Sequence, residues 1–163
     1  NYLKKRQLDK ALKDVNRALE LNPNDVSARC VRGDVYRSKG ENEKALMDLN
    51  KAIELDPDDV SARCVRGDVY KEKREYEKAL IDLNKAIELD PNDVSARCVR
   101  GDVYKERGEY EKALIDYDKV IALDPNNPFI LAARDDVLRE LAQASAGANT
   151  MNARTPSSSG PRR

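Results

Sequence analysis

The most constraining feature of the sequence is an eleven-residue stretch that occurs three times without a change. It reads Val-Ser-Ala-Arg-Cys-Val-Arg-Gly-Asp-Val-Tyr, and its copies begin at Val26, Val60 and Val94, which are 34 residues apart. Self-similarity at a fixed period of roughly 20–50 residues is typical of stacked-repeat proteins, in which no unit buries its apolar face alone. The chain is therefore expected to form an array in which each residue of the stretch becomes a stripe of three.

Within the first complete unit, apolar residues at three- and four-residue steps predict one helix over residues 27–39 and a second over residues 41–55. Gly40 lies between them, where a tight turn favours glycine. Arg74 takes this place in the second unit, so that turn is expected to adopt a different, non-left-handed geometry. Pro57 ends the second helix. The core-facing residues are predicted to be Ala28, Val31, Val35, Tyr36, Ala45, Leu46, Leu49, Ala52 and Ile53.

The period divides the chain and predicts an all-α array of helix-turn-helix units. Asn1-Tyr2 align with Val35-Tyr36, so the sequence begins inside a unit, and we expect it to belong to a longer array. A polar turn is expected at residues 4–6. The last stretch is rich in Ala, Gly, Asn, Ser, Pro and Arg, which predicts disorder because little apolar surface is available to bury. The predicted divisions are a partial unit over residues 1–25, units over 26–59, 60–93 and 94–127, a capping helix over 128–143 and a disordered tail over 144–163.

Composition narrows the class of function. Lys plus Arg equals Asp plus Glu at 30 each, so the chain lacks the basic excess of a nucleic-acid or anionic-membrane binder. The three cysteines recur once per unit, too far apart to pair, which indicates reduced thiols in a cytosolic or nuclear protein. No histidine and no glycine-rich phosphate loop is present, so neither a catalytic function nor a cofactor or metal site is predicted.

Gly33, Tyr36, Ala45, Ala52 and Pro57 recur in phase, and in this pattern the chain resembles the tetratricopeptide repeat (TPR) family. The resemblance implies an all-α, right-handed α-solenoid whose first helices line a concave groove, and it implies non-catalytic binding of a protein or extended peptide in that groove. The equivalent residues are Gly67, Tyr70, Ala79, Ala86 and Pro91, then Gly101, Tyr104, Ala113, Val120 and Pro125, with Tyr2, Ala11, Ala18 and Pro23 in the partial unit.

Two positions depart from that pattern. Arg29 stands where many members carry a large aromatic residue, and Arg32 stands where many carry leucine; both recur in the next two units. Because an unpaired buried guanidinium is costly, we expect Arg32 to bond Asp48 across the helix pair. The alternative is that Asp48 pairs only along its own helix, with Lys44 or Lys51. The equivalent residues are Arg63, Arg66 and Asp82, then Arg97, Arg100 and Asp116, with Asp14 in the partial unit.

The first helices also present a candidate binding face in the predicted groove, with a thiol stripe beside an acidic stripe and basic residues at its edge. The aspartates would accept hydrogen bonds from basic side chains or backbone N–H groups of an extended partner. Alternatively, each would form an ion pair with the basic residue three positions further along its own helix. The cysteines are interpreted as small, half-buried side chains that contribute to packing. The candidate groove residues are Ser27, Cys30, Asp34, Arg37, Ser61, Cys64, Asp68, Lys71, Ser95, Cys98, Asp102 and Lys105.

Some family members are chaperone adaptors that grip a C-terminal carboxylate with lysine and asparagine. The slots concerned here carry Cys30, Asp34, Val65, Ser95 and Val99, and an aspartate would repel a carboxylate, so this ligand is not expected. Two other hypotheses for the function of the chain stay open. The array would be a spacer that self-associates through its truncated N-terminal face, or it would be the targeting module of a larger enzyme or co-chaperone.

Overall fold

The computed structural model describes residues 2–153, which form eight α-helices and no β-strand. This confirms the all-α repeat solenoid. Neighbouring helices pack in sequence order, and α2 with α3, α4 with α5 and α6 with α7 are the tightest pairs. The helices are α1 (Tyr2–Leu21), α2 (Val26–Ser38), α3 (Asn42–Leu55), α4 (Val60–Glu72), α5 (Tyr76–Leu89), α6 (Val94–Glu106), α7 (Tyr110–Leu123) and α8 (Pro128–Asn152).

The first helix of each unit begins at an aspartate cap. The Asp25 carboxylate accepts the Ala28 amide at 2.9 Å, and the same bond recurs in the next two units at 2.6 Å. Such a side chain satisfies an amide that the helix itself leaves unpaired. Asn127 caps α8 in the same way, with Pro128 in its first turn. The short Asp-Pro or Asn-Pro connections therefore both end one unit and start the next.

The turn between the two helices of a unit uses a left-handed residue in every complete unit. Gly40 and Gly108 have φ of 77° and 75°, and Arg74 has φ of 61°. The expectation of a non-left-handed turn at Arg74 was therefore wrong. The packing of α4 on α5 fixes the same chain reversal as in the other units, and Arg74 adopts a conformation that costs a non-glycine residue roughly 1–2 kcal/mol.

The core lies between the two helices of each unit and between successive units. Ala45, Leu49 and Ala52 are fully buried, and a Cβ placed on Gly33 would lie 2.8 Å from Leu49 Cγ. Glycine at this point thus permits close packing of α2 on α3. Val31, predicted to face the core, is 50% exposed. Its equivalents in the second and third units, Val65 and Val99, pack against the unit before, whereas within residues 2–153 the unit of Val31 is preceded by α1 alone.

Helix α1 is continuous from Tyr2 to Leu21, so the turn predicted at residues 4–6 was wrong. Arg6 occupies the place of Gly40, and the surrounding lysine, glutamine and leucine residues are good helix formers. In the complete units the turn brings two packed helices together, but in the described part of the chain no helix precedes α1 for it to fold back upon.

Helix α8 continues to Asn152, nine residues past the predicted end of the capping helix at residue 143. The prediction of disorder from residue 144 was therefore wrong for this stretch. It rested on the scarcity of apolar groups, but alanine, which has the highest helix propensity, occupies positions 144, 146 and 148. The rest of the predicted disordered tail, residues 154–163, lies outside the described residues.

Candidate functional site

A buried ion pair joins the two helices of every complete unit. Arg32 donates from Nε and Nη2 to the two carboxylate oxygens of Asp48, both at 2.7 Å, and Asp48 is 3% exposed. Arg29 adds a third bond at 3.2 Å. The predicted cross-helix bridge is confirmed, since Lys44 and Lys51 instead bond Glu41 and Glu54. The Asp48 hydrogen bond raises the pKa of Arg32 despite its burial. The same contacts recur at Arg63, Arg66 and Asp82, and at Arg97, Arg100 and Asp116.

The same arginine also ties its unit to the one before. Arg66 Nη1 donates to Asn50 Oδ1 at 2.9 Å, and Arg100 does the same to Asn84 at 2.9 Å. At the end of the array, Arg134 of α8 donates from Nε to Asp118 at 2.6 Å. Asp14, the candidate partner in the partial unit, is exposed. These bonds fix the register of neighbouring units on the side away from the candidate groove.

We call the side of α2, α4, α6 and α8 that bears Asp34, Arg37 and their equivalents the groove face. Arg37 bonds Asp34 on its own helix at 2.9 Å, and on the next first helix it reaches Asp68 at 3.2 Å and Glu72 at 2.8 Å. Burial alone would lower the pKa of Arg37, but the charge of Asp68 and the bond to Asp34 outweigh burial and raise it.

This link between units continues along the groove face. Lys71 pairs with Asp68 at 2.9 Å and lies 3.9 Å from Asp102, and Lys105 pairs with Asp136 of α8 at 3.5 Å. The expected pairing at three residues is therefore present for the first and second units. In the third unit Lys105 pairs with Asp136 on α8. Arg37, Lys71 and Lys105 thus each contact the aspartate 31 positions ahead in the sequence. Much of the negative charge of the candidate aspartates is therefore neutralised by ion pairs within the array.

The third unit adds a tyrosine to the groove face from within the core. Tyr117 is fully buried where the other units carry leucine, and its hydroxyl donates to Asp102 Oδ1 at 2.6 Å. Burial raises the pKa of Asp102, which the hydrogen bond from Tyr117 and the charge of Lys71 only partly oppose. The three acidic positions are consequently not equivalent, because Asp34 remains the most exposed, with 52% of its side chain open.

The cysteines are free thiols that the fold keeps protonated. Burial raises the pKa of Cys30 and of Cys64 to about 12, and that of Cys98 to about 11. Asp59 accepts the Cys30 thiol at 3.7 Å. Cys30 and Cys64 are buried and Cys98 is half-buried. A thiol held in this form is a weak nucleophile and a poor metal ligand, so the stripe behaves as packing.

The exposed part of the groove face is smaller than the sequence predicted. Among the candidate residues, Ser27, Ser61, Ser95 and Asp34 are exposed, while the remaining aspartates and all the basic residues are half-buried in ion pairs. Glu106 is exposed and makes no ion pair within residues 2–153. The pairs between units are not apparent from the pattern of a single helix, although the constant separation of 31 residues is a signal for them.

No group of three or more His, Cys, Asp or Glu side chains in residues 2–153 is arranged to hold a metal ion. Over the same residues, every helix is too short or too polar to cross a membrane.

The family models agree with the fold. A model described as TPR repeat matches residues 33–73, 67–106 and 101–134, and one described as Tetratricopeptide repeat matches residues 1–25. The chain therefore belongs to the tetratricopeptide repeat family. Among curated proteins, none matches the sequence closely enough to count as a relative.

Solved structures of the same fold include the first TPR domain of human RPAP3, at 23% identity and a TM-score of 0.72, covering 77% of this chain and 98% of that one. The first TPR of Spaghetti (RPAP3) bound to the HSP90 peptide SRMEEVD is 24% identical, with a TM-score of 0.69 and coverage of 72% and 93%. A tetratricopeptide repeat protein from Parabacteroides merdae is 25% identical, with a TM-score of 0.71. The match covers 94% of this chain and 61% of the Parabacteroides chain.

Proposed function

We propose that the chain is a non-catalytic interaction scaffold whose groove face binds an extended, net-basic segment of a partner protein. The charge balance of that face carries the proposal. The face carries four aspartates and three glutamates against four basic residues, which leaves three negative charges. The aspartates are Asp34, Asp68, Asp102 and Asp136, the basic residues Arg37, Lys71, Lys105 and Arg139, and the glutamates Glu72, Glu106 and Glu140.

The ion pairs between units shape where a ligand would bind. A partner cation at Asp68 competes with Arg37 and Lys71, whereas Glu106 and Glu140 are exposed and have no ion pair in the described part of the chain. A basic side chain therefore gains most at those two glutamates. At Asp34 it meets a carboxylate that Arg37 also bonds but that is 52% exposed. The open hydroxyls of Ser27, Ser61 and Ser95 supply hydrogen-bond donors and acceptors for an extended backbone.

The ligand class differs from that of the Spaghetti domain, whose peptide SRMEEVD carries three acidic residues. A groove face with three excess negative charges repels such a peptide, because like charges oppose association. Aspartate at the position of Asp34 adds to this repulsion at the slot where the family's adaptors bind a carboxylate. The charge balance thus supports a basic rather than an acidic ligand.

A binding role rather than a catalytic role is supported by the chemistry of the chain. No histidine is present in the sequence, and the raised pKa of each thiol leaves the groove face without an activated nucleophile. Free thiols also suit the reducing cytosol.

The proposal is tested with a fluorescent glycine- and serine-rich peptide that carries spaced lysines, titrated with the chain and followed by anisotropy. Binding is expected, and it should weaken as salt increases, because exposed charges are screened. The triple variant Asp34→Asn, Glu106→Gln, Glu140→Gln should bind less tightly. The matched control Glu54→Gln, Glu88→Gln removes exposed carboxylates from the second helices and should bind as the parent does. Equal binding of a glutamate-containing version of the peptide would contradict the proposal.

A further inference from the structure

We propose that two copies of the chain associate through α8, which pairs with α8 of the second copy in an antiparallel, twofold-symmetric contact. This surface lies on the opposite side of α8 from the groove-face residues Asp136 and Glu140. It serves self-association and does not depend on the ligand of the groove.

The surface consists of Leu131, Arg134, Asp135 and Leu138, which lie on one side of α8 at steps of three and four residues. Leu131 is 40% and Leu138 38% exposed, and 37% of the Arg134 side chain is open. In the complete units, the equivalent side of the first helix packs on the second helix. It includes Arg32, which bonds Asp48, and Gly33, which lies against Leu49. Helix α8 therefore presents a helix-packing side that nothing in the described chain covers.

A second helix packed as closely as in the complete units does not fit this side. Asp135 stands where the first unit carries Gly33, and even a single Cβ on Gly33 would lie 2.8 Å from Leu49 Cγ. Leu131 also stands at the repeat position of Arg29. One of the two arginines that bind the buried aspartate in the complete units is therefore absent from α8. The side is suited to a helix that stays farther away and brings a cation to Asp135.

A second copy of α8 meets both requirements, because the surface is its own complement. The order Leu, Arg, Asp, Leu is symmetric about the midpoint between Arg134 and Asp135. When two such helices run antiparallel about that midpoint, Leu131 faces Leu138 of the second copy, and Arg134 faces Asp135 of the second copy. An interface that uses the same patch on both subunits closes as a twofold dimer.

The charged residues have bonding capacity left for this contact. Arg134 uses Nε for Asp118 at 2.6 Å, and its guanidinium carries further N–H donors. Asp135 is exposed and makes no ion pair within residues 2–153. Two leucine contacts, made by four leucines, and two ion pairs per dimer bury less than the roughly 1,200–2,000 Å² of stable interfaces, so the dimer is expected to be weak and concentration-dependent.

A charge exchange tests the contact by sedimentation velocity over a range of concentrations. The parent chain should shift from monomer towards dimer mass as its concentration rises. Asp135→Lys places two cations opposite each other, Arg134→Glu places two anions opposite each other, and each variant alone should dimerise at least about tenfold more weakly. An equimolar mixture of the two variants should regain dimer, because both facing pairs are then of opposite sign.

The control Glu140→Lys makes the same charge change as Asp135→Lys on the groove side of α8, and it should dimerise as the parent does. Circular dichroism verifies that each variant keeps its helices. A parent that stays monomeric at all concentrations would overturn the proposal. So would dimers that survive in both single variants, or folded variants that fail to associate when mixed.

Discussion

Arg66 holds Asp82 by two hydrogen bonds of 2.7 Å, one from Nε and one from Nη2, inside a helix pair where Asp82 is 1% exposed. Arg63 approaches the same carboxylate at 3.4 Å, and Arg66 also reaches Asn50 of the preceding unit. This one arginine therefore links its own second helix and the previous unit. The arrangement makes the array depend on a buried charge where many family members rely on apolar packing.

Removing the carboxylate should destabilise the array strongly. Asp82→Ala leaves Arg63 and Arg66 without their anion, and breaking a buried pair from one side costs about 3–5 kcal/mol. Urea denaturation followed by circular dichroism measures the loss in the free energy of unfolding. The control Glu88→Ala breaks the exposed pair with Lys85 and should cost about 1 kcal/mol or less. Similar losses in the two variants would contradict the role assigned to Asp82.

Arg74→Gly should stabilise the chain. The arginine has φ of 61°, and glycine removes a left-handed strain of roughly 1–2 kcal/mol, offset in part by the greater entropy of the unfolded chain. A net gain of about 1 kcal/mol is expected in urea denaturation. The reverse change at the matched turn, Gly108→Ala, should cost a similar amount. A loss of stability in Arg74→Gly would show that the side chain makes contacts that outweigh the strain.

Alanine should be tolerated unequally at two equivalent glycines. A Cβ on Gly101 would lie 2.6 Å from the ring of Tyr117, and one on Gly67 would lie 2.8 Å from Leu83. Leucine can shift, whereas the Tyr117 ring is held by its bond to Asp102. Gly101→Ala should therefore cost about 1–3 kcal/mol and Gly67→Ala less. Thermal unfolding measures both, and adding Tyr117→Leu to Gly101→Ala should recover part of the loss. Equal costs would show that the ring moves as freely as leucine.

The thiols should react slowly in the folded chain. The pKa of Cys98 is raised from 9.0 to about 11, which near pH 8 lowers its thiolate fraction about a hundredfold relative to the unfolded chain. Alkylation by iodoacetamide, followed by mass spectrometry, should be slower in buffer than in urea by at least this factor. Cys30 and Cys64, with pKa about 12, should react more slowly still. Equal rates in buffer and urea would contradict the burial of the thiols.

The same shifts predict how stability changes with pH. Because the folded-state pKa of each thiol lies above the unfolded value of 9.0, the folded chain binds more protons between about pH 9 and 12. Stability is fully present below pH 9 and falls as the pH rises through that window. The urea midpoint should drop between pH 8 and pH 10, and it should drop less in the variant Cys30→Ala, Cys64→Ala, Cys98→Ala. An equal drop in that variant would assign the effect to other groups.

Much of the fold could be predicted because the period fixes the register of every unit. The pair of Arg32 and Asp48 could be predicted because a buried guanidinium needs an anion, and the facing helix offers an aspartate at the same position in every complete unit. The continuation of α8 could not be predicted from burial, because its alanines bury little surface, whereas helix propensity maintains the segment at residues 144–152.

The groove face was harder to predict, since its contacts depend on how one unit is offset from the next. Arg37 lies three residues from Asp34, but its contact with Asp68 requires the neighbouring first helices to run side by side. The bond from Tyr117 to Asp102 depends on a core side chain that is long enough to reach that face. Periodicity within one helix predicts neither the contact between Arg37 and Asp68 nor the bond from Tyr117 to Asp102. From the sequence, Asp34, Asp68 and Asp102 are therefore equivalent.

The most direct test of the proposed binding face is to find which helices the lysine peptide contacts. The peptide carries one photoreactive residue, and cross-linked chains are digested and analysed by mass spectrometry. The near-identity of the units blurs which unit is labelled, but first and second helices differ in sequence and are told apart. Cross-links are expected on α2, α4, α6 and the first half of α8, and they should be lost in the triple variant Asp34→Asn, Glu106→Gln, Glu140→Gln. Cross-links concentrated on α3, α5 and α7 would contradict binding at the groove face.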